Sequence, residues 1–286
     1  MLESAISEVP DPIPPRKRRQ TVWAGGHTLR AEWHKPKTKD TASLVFLHEG
    51  LGSISQWRDV PDSLGDTTGY GVLLYDRFGY GGSARLPTPY ERPIDFMECE
   101  ATTTVPDLLD TFDITNAFLF GHSDGATIAL LAAAGGDIRI QGIVAEAAHL
   151  FVERESLDNI RLLRTQWEAT DLRERLRRHH GDNVDGAFLG WANLWLNPAF
   201  ASFDIRDRLA GVTCPVLAIQ GTEDAYGSLA QVVGDQAISL CTCRHFDFIR
   251  MWSQPALRSA GSCYGSSCQF FGDELASLTT MVLSSC

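Results

Sequence analysis

The chain has 286 residues, of which 44% are hydrophobic and 21% charged, and its formal net charge is −11. This length and composition are typical of a soluble globular protein with one large domain or a domain that carries an insertion. The acidic balance argues against a nucleic-acid partner and against binding to an anionic membrane. No apolar run approaches the roughly 18 residues that cross a bilayer, and the first residues lack a secretory-signal pattern, so we expect a cytoplasmic protein.

The first predicted elements are a tail and a hairpin. Residues 1–20 mix prolines, acids and a short basic run, and we expect them to form a disordered tail. Residues 21–34 are predicted to form two strands around Gly25-Gly26. Short apolar runs follow at 43–48, 71–75, 117–120, 140–145 and 215–219. Such runs are typical of strands that are buried on both faces of a parallel sheet.

Helical segments separate these strands. They are predicted at 54–64, 98–112 and 124–134. Strands that alternate with helices indicate an α/β fold with a doubly wound, mostly parallel sheet.

The alternation stops between about residues 151 and 203, which are first polar and helical and then aromatic. We interpret this stretch as an inserted helical cap over the carboxyl edge of the sheet, where sites form in open α/β folds. The predicted core therefore comprises 21–150 and 204–286, with 240–286 atypical in composition.

One pentapeptide predicts a catalytic serine. Gly121-His122-Ser123-Asp124-Gly125 fits the pattern G-x-S-x-G, with a predicted strand before it and a small-residue helix after it. A sharp strand-to-helix turn of this kind lifts a serine hydroxyl above the sheet and aims a helix N-terminus at a developing oxyanion. The alternative is a plain turn, but the flanking elements favour Ser123 as the nucleophile.

A second glycine-containing segment, His48-Glu49-Gly50-Leu51-Gly52, follows the strand at 43–48. In this kind of site, one oxyanion donor comes from such a loop and the other from the residue after the nucleophile. We therefore expect the backbone N–H groups near Glu49 or Gly50 to act together with that of Asp124. The alternative is a loop that only reverses the chain.

These segments, in this order, resemble the α/β-hydrolase superfamily, and in particular its capped esterases, lactonases and carbon–carbon bond hydrolases. The resemblance covers roughly residues 21–233. It implies a Ser–Asp–His triad without a metal or an organic cofactor. The segments that carry it are His48-Glu49-Gly50-Leu51-Gly52, Asp76-Arg77-Phe78-Gly79-Tyr80-Gly81-Gly82-Ser83, Gly121-His122-Ser123-Asp124-Gly125 and Gly221-Thr222-Glu223-Asp224.

The resemblance places the triad acid at Asp224, at the end of a strand. Glu223 is the alternative acid, and the non-functional alternative is that Asp224 is an ordinary aspartate of a surface turn. The family's histidine loop after the last strand is missing from this sequence. His245 is the only histidine after Asp224, and it is our candidate base. His122 and His149 are assigned to packing or to contact with a substrate.

Aromatic residues of the inserted stretch are candidates for a substrate pocket. Trp191 and Trp195, together with His149, are predicted to line it, whereas packing of the cap against the sheet is the alternative for each. Trp167 and Phe188 belong to the same set.

The last residues are unusual because five of the seven cysteines lie at or after position 241. Their spacings do not fit a zinc site. A shifted reading frame explains this composition better. Met251 and Trp252 have one codon each, and dropping one base forces Cys-Gly there, after which the next residues permit His-Ser-Pro-His. The coding DNA tests this hypothesis.

The sequence thus predicts a serine hydrolase that cleaves a small carboxylic ester or lactone through an acyl-enzyme on Ser123. The resemblance also bears on other reactions, because epoxide and haloalkane hydrolysis in this family use an aspartate nucleophile. The serine at position 123 therefore argues against these two activities. A carbon–carbon bond hydrolase remains an alternative, as does a catalytically dead protein of the same fold that lacks its triad histidine. We expect a small-molecule substrate as the partner, and a monomer or a homodimer.

Overall fold

Strands of almost entirely apolar residues form the centre of the protein. The computed structural model describes residues 17–36, 38 and 41–232. Two of the central strands have every residue buried, because neighbouring strands and helices cover both faces of the sheet. The seven strands are β1 (Lys17–Ala24), β2 (His27–His34), β3 (Ser43–Leu47), β4 (Gly71–Tyr75), β5 (Ala117–His122), β6 (Ile140–Glu146) and β7 (Val216–Ile219).

The strands form one sheet in the order β1-β2-β4-β3-β5-β6-β7. Strands β3 to β7 are all parallel to one another. Strands β1 and β2 form an antiparallel hairpin, and β2 pairs antiparallel with β4. The predicted α/β class with a mostly parallel sheet is therefore confirmed.

The start of β1 corrects one boundary. Residues 17–20 were expected to belong to the disordered tail, but they pair with the end of β2, from Lys17 opposite His34 onward. The Arg19 guanidinium lies 2.7 Å from the carboxylate of Glu32, which is buried on β2. Pairing along the whole of β2 explains why the strand begins before the apolar pattern does.

Helices cover both faces of the sheet. They are α1 (Val60–Thr68), α2 (Phe96–Cys99), α3 (Val105–Thr111), α4 (Asp124–Ala134), α5 (Arg154–Ala169), α6 (Leu172–His180) and α7 (Val184–Trp195). Alternate residues of β3 point to opposite faces. Leu44 and Phe46 pack in a cluster with α1, whereas Val45 and Leu47 pack in a larger cluster with α3 and α4.

Two predicted helices are interrupted. The helix expected at 54–64 is a 3₁₀ turn at Ile54–Gln56 followed by α1, which has Pro61 in its first turn, where a proline is tolerated. The helix expected at 98–112 begins at Phe96 and contains a π-helical turn at Glu100–Thr104, just before Pro106. Because proline has no N–H for the helical ladder, a local change of hydrogen bonding is expected there.

The helices between β6 and β7 lie over the carboxyl edge of the sheet. At the end of α6, the His180 ring accepts a hydrogen bond from the N–H of Gly81 (3.1 Å) and donates to the carbonyl of Leu51 (3.0 Å). Asn183 donates its side-chain N–H groups to the carbonyls of Tyr80, Gly81 and Ser83. The inserted helices are thus fastened to the loops that follow β3 and β4, while the division into cap and core domains stays a prediction.

Several sequence-based interpretations fall elsewhere in the chain. His245, the late cysteines and the frame-shift hypothesis all lie outside the described residues. Within the described part, no helix combines the length and apolar character that a membrane crossing requires.

Replacing Asn183 by alanine should lower the free energy of unfolding by about 1–3 kcal/mol, because buried carbonyls would lose their donor. Chemical denaturation of the full chain measures this. Asn193 is a matched control, since its side chain accepts one exposed hydrogen bond from Arg164, and Asn193→Ala should cost about 0.5 kcal/mol or less. Equal losses in both variants would contradict this role of Asn183.

Candidate active site

Ser123 occupies a strained turn between β5 and α4. Its φ angle is 53°, in the left-handed region that a residue with a side chain rarely adopts. Such a conformation costs on the order of 1–3 kcal/mol and is found preferentially at functional sites. The Ser123 N–H donates to the carbonyl of Glu146 at the end of β6 (2.8 Å), which fixes the turn against the neighbouring strand.

The helix that follows the turn comes very close to β3. A Cβ atom at Gly125 would overlap the carbonyl of Leu47, so only glycine fits there. Asp124 is the first residue of α4 and is fully buried. Its backbone N–H therefore lies at the positive end of the helix dipole, beside the hydroxyl of Ser123.

The loop after β3 is held by Arg77. The fully buried guanidinium of Arg77 donates to the carbonyl of Glu49 (2.8 Å). The N–H of Arg77 also donates to Nε2 of His48 (3.1 Å), whose Nδ1 in turn donates to the Glu49 carbonyl (2.8 Å). Burial and the charge of Arg77 keep the pKa of His48 well below its usual value, which agrees with a neutral ring that accepts at Nε2. Glu49 and Gly50 are thus positioned by fixed partners.

An ion pair connects this loop to the nucleophile turn. Nδ1 of His122 lies 3.6 Å from a carboxylate oxygen of Glu49. Burial alone would lower the pKa of His122, but the pairing with Glu49 and the nearby charge of Glu146 outweigh it and raise the pKa to about 9. The same pairing outweighs burial at Glu49 and lowers the pKa of that carboxyl. His122 therefore links the loop after β3 to the turn that carries Ser123.

His149 lies next to Ser123. It follows β6, and its Nε2 is 3.1 Å from Oγ of Ser123. The backbone N–H and carbonyl of His149 are both hydrogen-bonded to the hydroxyl of Thr127 on α4, at 3.0 and 2.9 Å. The imidazole packs edge-on against Trp195, with 5.0 Å between ring centroids. His149 was expected to serve in packing or in contact with a substrate, and the structure places its ring beside the Ser123 hydroxyl.

Asp224 lies at the end of β7, where the resemblance placed the triad acid, but its carboxylate binds within its own loop. One oxygen accepts from the side-chain amide of Gln220 (3.0 Å) and the other from the N–H of Tyr226 (2.8 Å). No histidine of the described residues is hydrogen-bonded to it. Glu223, the alternative acid, is exposed.

The aromatic candidates differ in their contacts. The indole of Trp191 lies against Gly50, where an added Cβ would overlap it, and Trp195 contacts His149. Phe188 is fully buried and stacks on Trp167 with 4.1 Å between ring centroids. Trp191 and Trp195 thus lie beside Gly50 and His149, whereas Phe188 contacts both Trp167 and Trp191.

A metal ion has no evident ligands in this region. Within residues 17–36, 38 and 41–232, no three His, Cys, Asp or Glu side chains converge closely enough to hold one.

Comparison with known proteins identifies relatives by sequence. A family model described as alpha/beta hydrolase fold matches residues 42–249. The 2-succinyl-6-hydroxy-2,4-cyclohexadiene-1-carboxylate synthase of Escherichia coli (strain SMS-3-5 / SECEC) is 28% identical over 165 residues, 58% of each chain. That of Salmonella paratyphi C (strain RKS4594) is 29% identical over 178 residues, 62% of each chain. The matches thus span less than two thirds of these curated relatives.

Solved structures share the fold at lower identity. An esterase from Exiguobacterium antarcticum superposes with a TM-score of 0.57 and 18% identity, over 74% of this chain and 84% of the esterase. The enol-lactonase from Burkholderia xenovorans LB400 gives a TM-score of 0.56 and 20% identity, over 74% of this chain and 85% of the lactonase. Identities this low support the fold alone.

The His122–Glu49 pair predicts a pH-dependent stability. Because the folded-state pKa of His122 is about 9, above its usual 6.5, its stabilising contribution is complete below pH 6.5 and is lost as the pH rises through 9. The melting temperature of the wild type should therefore exceed that of His122→Gln at pH 6.5, by an amount equivalent to about 3 kcal/mol. This difference should shrink by pH 10.

His27 is the matched control, because burial and Arg92 lower its pKa, so that it titrates below this range. The difference between wild type and His27→Gln should stay constant from pH 7 to pH 10. A His122→Gln difference that is also constant would show that His122 is not charged in the folded protein.

Proposed function

Because this chain belongs to the α/β-hydrolase fold family, we propose that it is a serine hydrolase that cleaves a small carboxylic ester or lactone through an acyl-enzyme on Ser123. The observation that carries this proposal is the geometry of Ser123. Its backbone is held at φ 53° at the start of α4, and its hydroxyl lies 3.1 Å from an imidazole nitrogen. A nucleophile within hydrogen-bond reach of a base is the arrangement that acyl transfer requires.

Oxyanion stabilisation follows from the two loops around Ser123. When Oγ attacks the carbonyl carbon, negative charge develops on the carbonyl oxygen. The N–H of Asp124, at the N-terminus of α4, is one proposed donor, and a backbone N–H of Glu49 or Gly50 is the other. Each such donor contributes about 10²–10³ to the rate in comparable sites. The Arg77 and His122 contacts fix the Glu49 loop, so that its donors need little reorganisation during the reaction.

The proposed partner is a small-molecule substrate whose size is limited by two indoles. Trp191 packs on the oxyanion loop and Trp195 on the imidazole of His149, and both are more than nine-tenths buried. Large apolar side chains with few polar groups are typical walls of small-molecule sites. This supports a compact acyl or alcohol group as part of the substrate.

Asp224 has a long-range role in this proposal. Its carboxylate favours the protonated form of His149 through its charge, without a hydrogen bond to the ring. We therefore expect Asp224→Asn to slow turnover less than a substitution that removes Ser123.

Covalent labelling with a fluorophosphonate tests the proposal without a choice of substrate. The full wild-type chain should be labelled at Ser123, as shown by peptide mass spectrometry, and should hydrolyse short p-nitrophenyl esters or simple lactones. Ser123→Ala should abolish labelling and lower the hydrolysis rate by about 10³-fold or more, because the oxyanion donors alone retain only a small part of the catalysis.

Ser63→Ala is the matched control, since Ser63 lies on α1, away from the nucleophile turn. It should be labelled at the wild-type rate. A folded wild-type chain that is not labelled and does not hydrolyse esters or lactones would overturn the proposed function.

A further inference from the structure

We propose that His149 is the catalytic base that takes the hydroxyl proton of Ser123, in place of a histidine located after the last strand. This inference rests on the proposed serine-hydrolase function. The 3.1 Å separation of Nε2 and Oγ lies within the range over which a base removes a proton directly. Within the described part of the chain, Oγ of Ser123 has no other side-chain hydrogen-bond partner.

The position of His149 is set by the same helix that presents the nucleophile. Thr127 is four residues after Ser123, so both lie on one face of the first turns of α4. The Thr127 hydroxyl accepts from the N–H of His149 and donates to its carbonyl, which fixes the backbone from which the imidazole extends. The edge-on contact with Trp195 limits rotation of the ring. Nucleophile and base are therefore positioned by one rigid element.

The surroundings of the ring suit a base that is neutral at rest. Burial lowers the pKa of His149, while the charges of Asp124 and Asp224 oppose this effect. At neutral pH the ring is therefore uncharged, and Nε2 can accept the proton of Oγ. Once the imidazolium forms, the same two carboxylates favour it.

The other histidines near the site are already engaged. Both nitrogens of His48 bind backbone groups, and His122 pairs with Glu49. The ring of His180 bridges Gly81 and Leu51. These contacts leave His149 as the described histidine that is directed at the nucleophile.

In the proposed cycle, water supplies the proton that finally returns to Ser123. As the Oγ–carbon bond forms, the hydroxyl proton moves to Nε2 and the carbonyl π electrons move to the oxygen. Collapse of this intermediate breaks the bond to the leaving alcohol, which takes the proton from Nε2. A water molecule then gives a proton to Nε2 and attacks the acyl carbon, and Ser123 leaves with that proton.

Nδ1 of His149 distinguishes this pair from a full triad. It is buried and has no hydrogen-bond partner among the described residues. The third group of a triad holds the correct tautomer, and its loss costs about 10⁴-fold in a well-studied protease. We therefore expect a working but slow Ser–His pair.

The test is the rate constant for fluorophosphonate labelling of Ser123 in the full chain between pH 5 and pH 9. His149→Ala should slow labelling by about 10²–10⁴-fold, and added imidazole should restore part of the rate. The wild-type rate should fall on the acid side only below the usual imidazole pKa of 6.5, because burial lowers the pKa of His149. His149→Gln keeps a polar side chain near Oγ but no base, so it should fold and be as slow as His149→Ala.

His34→Ala is the control for loss of a histidine, since His34 pairs with Val72 near the start of β4, at the opposite edge of the sheet. It should be labelled at the wild-type rate. A labelled wild type in which both His149 variants keep the wild-type rate overturns this inference and leaves the proposed function intact. Loss of labelling in His245→Ala, together with wild-type labelling in His149→Gln, would also overturn this inference and leave the proposed function intact. A folded wild type without any labelling overturns both.

Discussion

The geometry of the site depends on the turn by which β5 passes into α4. At Ser123 the backbone is forced to a φ of 53°, and two residues later the chain lies so close to Leu47 that a side chain has no room. The strain persists because the buried strand and the buried helix on either side over-determine it. The turn thereby places a hydroxyl above the sheet and an N–H at a helix terminus.

Other features of the site are built onto this turn. One helical turn after Ser123, Thr127 binds the backbone of His149, so that the residue after β6 is positioned by α4. On the other side, His122 pairs with Glu49 and connects the turn at Ser123 to the loop after β3. The Arg77 guanidinium also fixes that loop by donating a hydrogen bond to the Glu49 carbonyl. Few of these groups are free to move independently, which is what electrostatic preorganisation requires.

Much of this architecture could be predicted from local patterns. Apolar runs bounded by glycine located the parallel strands, because a strand covered on both faces leaves no place for polar residues. The G-x-S-x-G pattern located the sharp turn between β5 and α4, because a side chain at Gly125 would overlap the Leu47 carbonyl. The pairing of residues 17–20 was missed because a polar strand segment carries no such pattern.

The proximity of His149 to Ser123 could not be predicted from the order of residues along the chain. The resemblance led us to expect a base after Asp224, whereas proximity in the fold follows from the pairing of β6 with β5. The Glu146 carbonyl accepts from the N–H of Ser123, and His149, three positions beyond Glu146, therefore reaches the Ser123 hydroxyl. The proximity of His149 to Ser123 could have been predicted from the register between the parallel strands β5 and β6. No single segment of the sequence contains that register.

The most direct test of the proposed site is a crystal structure of the full chain after phosphonylation. We expect a phosphorus bonded to Oγ of Ser123, with one phosphoryl oxygen about 2.7–3.1 Å from the backbone N–H of Asp124 and from that of Glu49 or Gly50. An adduct whose phosphoryl oxygens all point away from these donors would contradict it, because the strained turn and the fixed loop would then not form an oxyanion site.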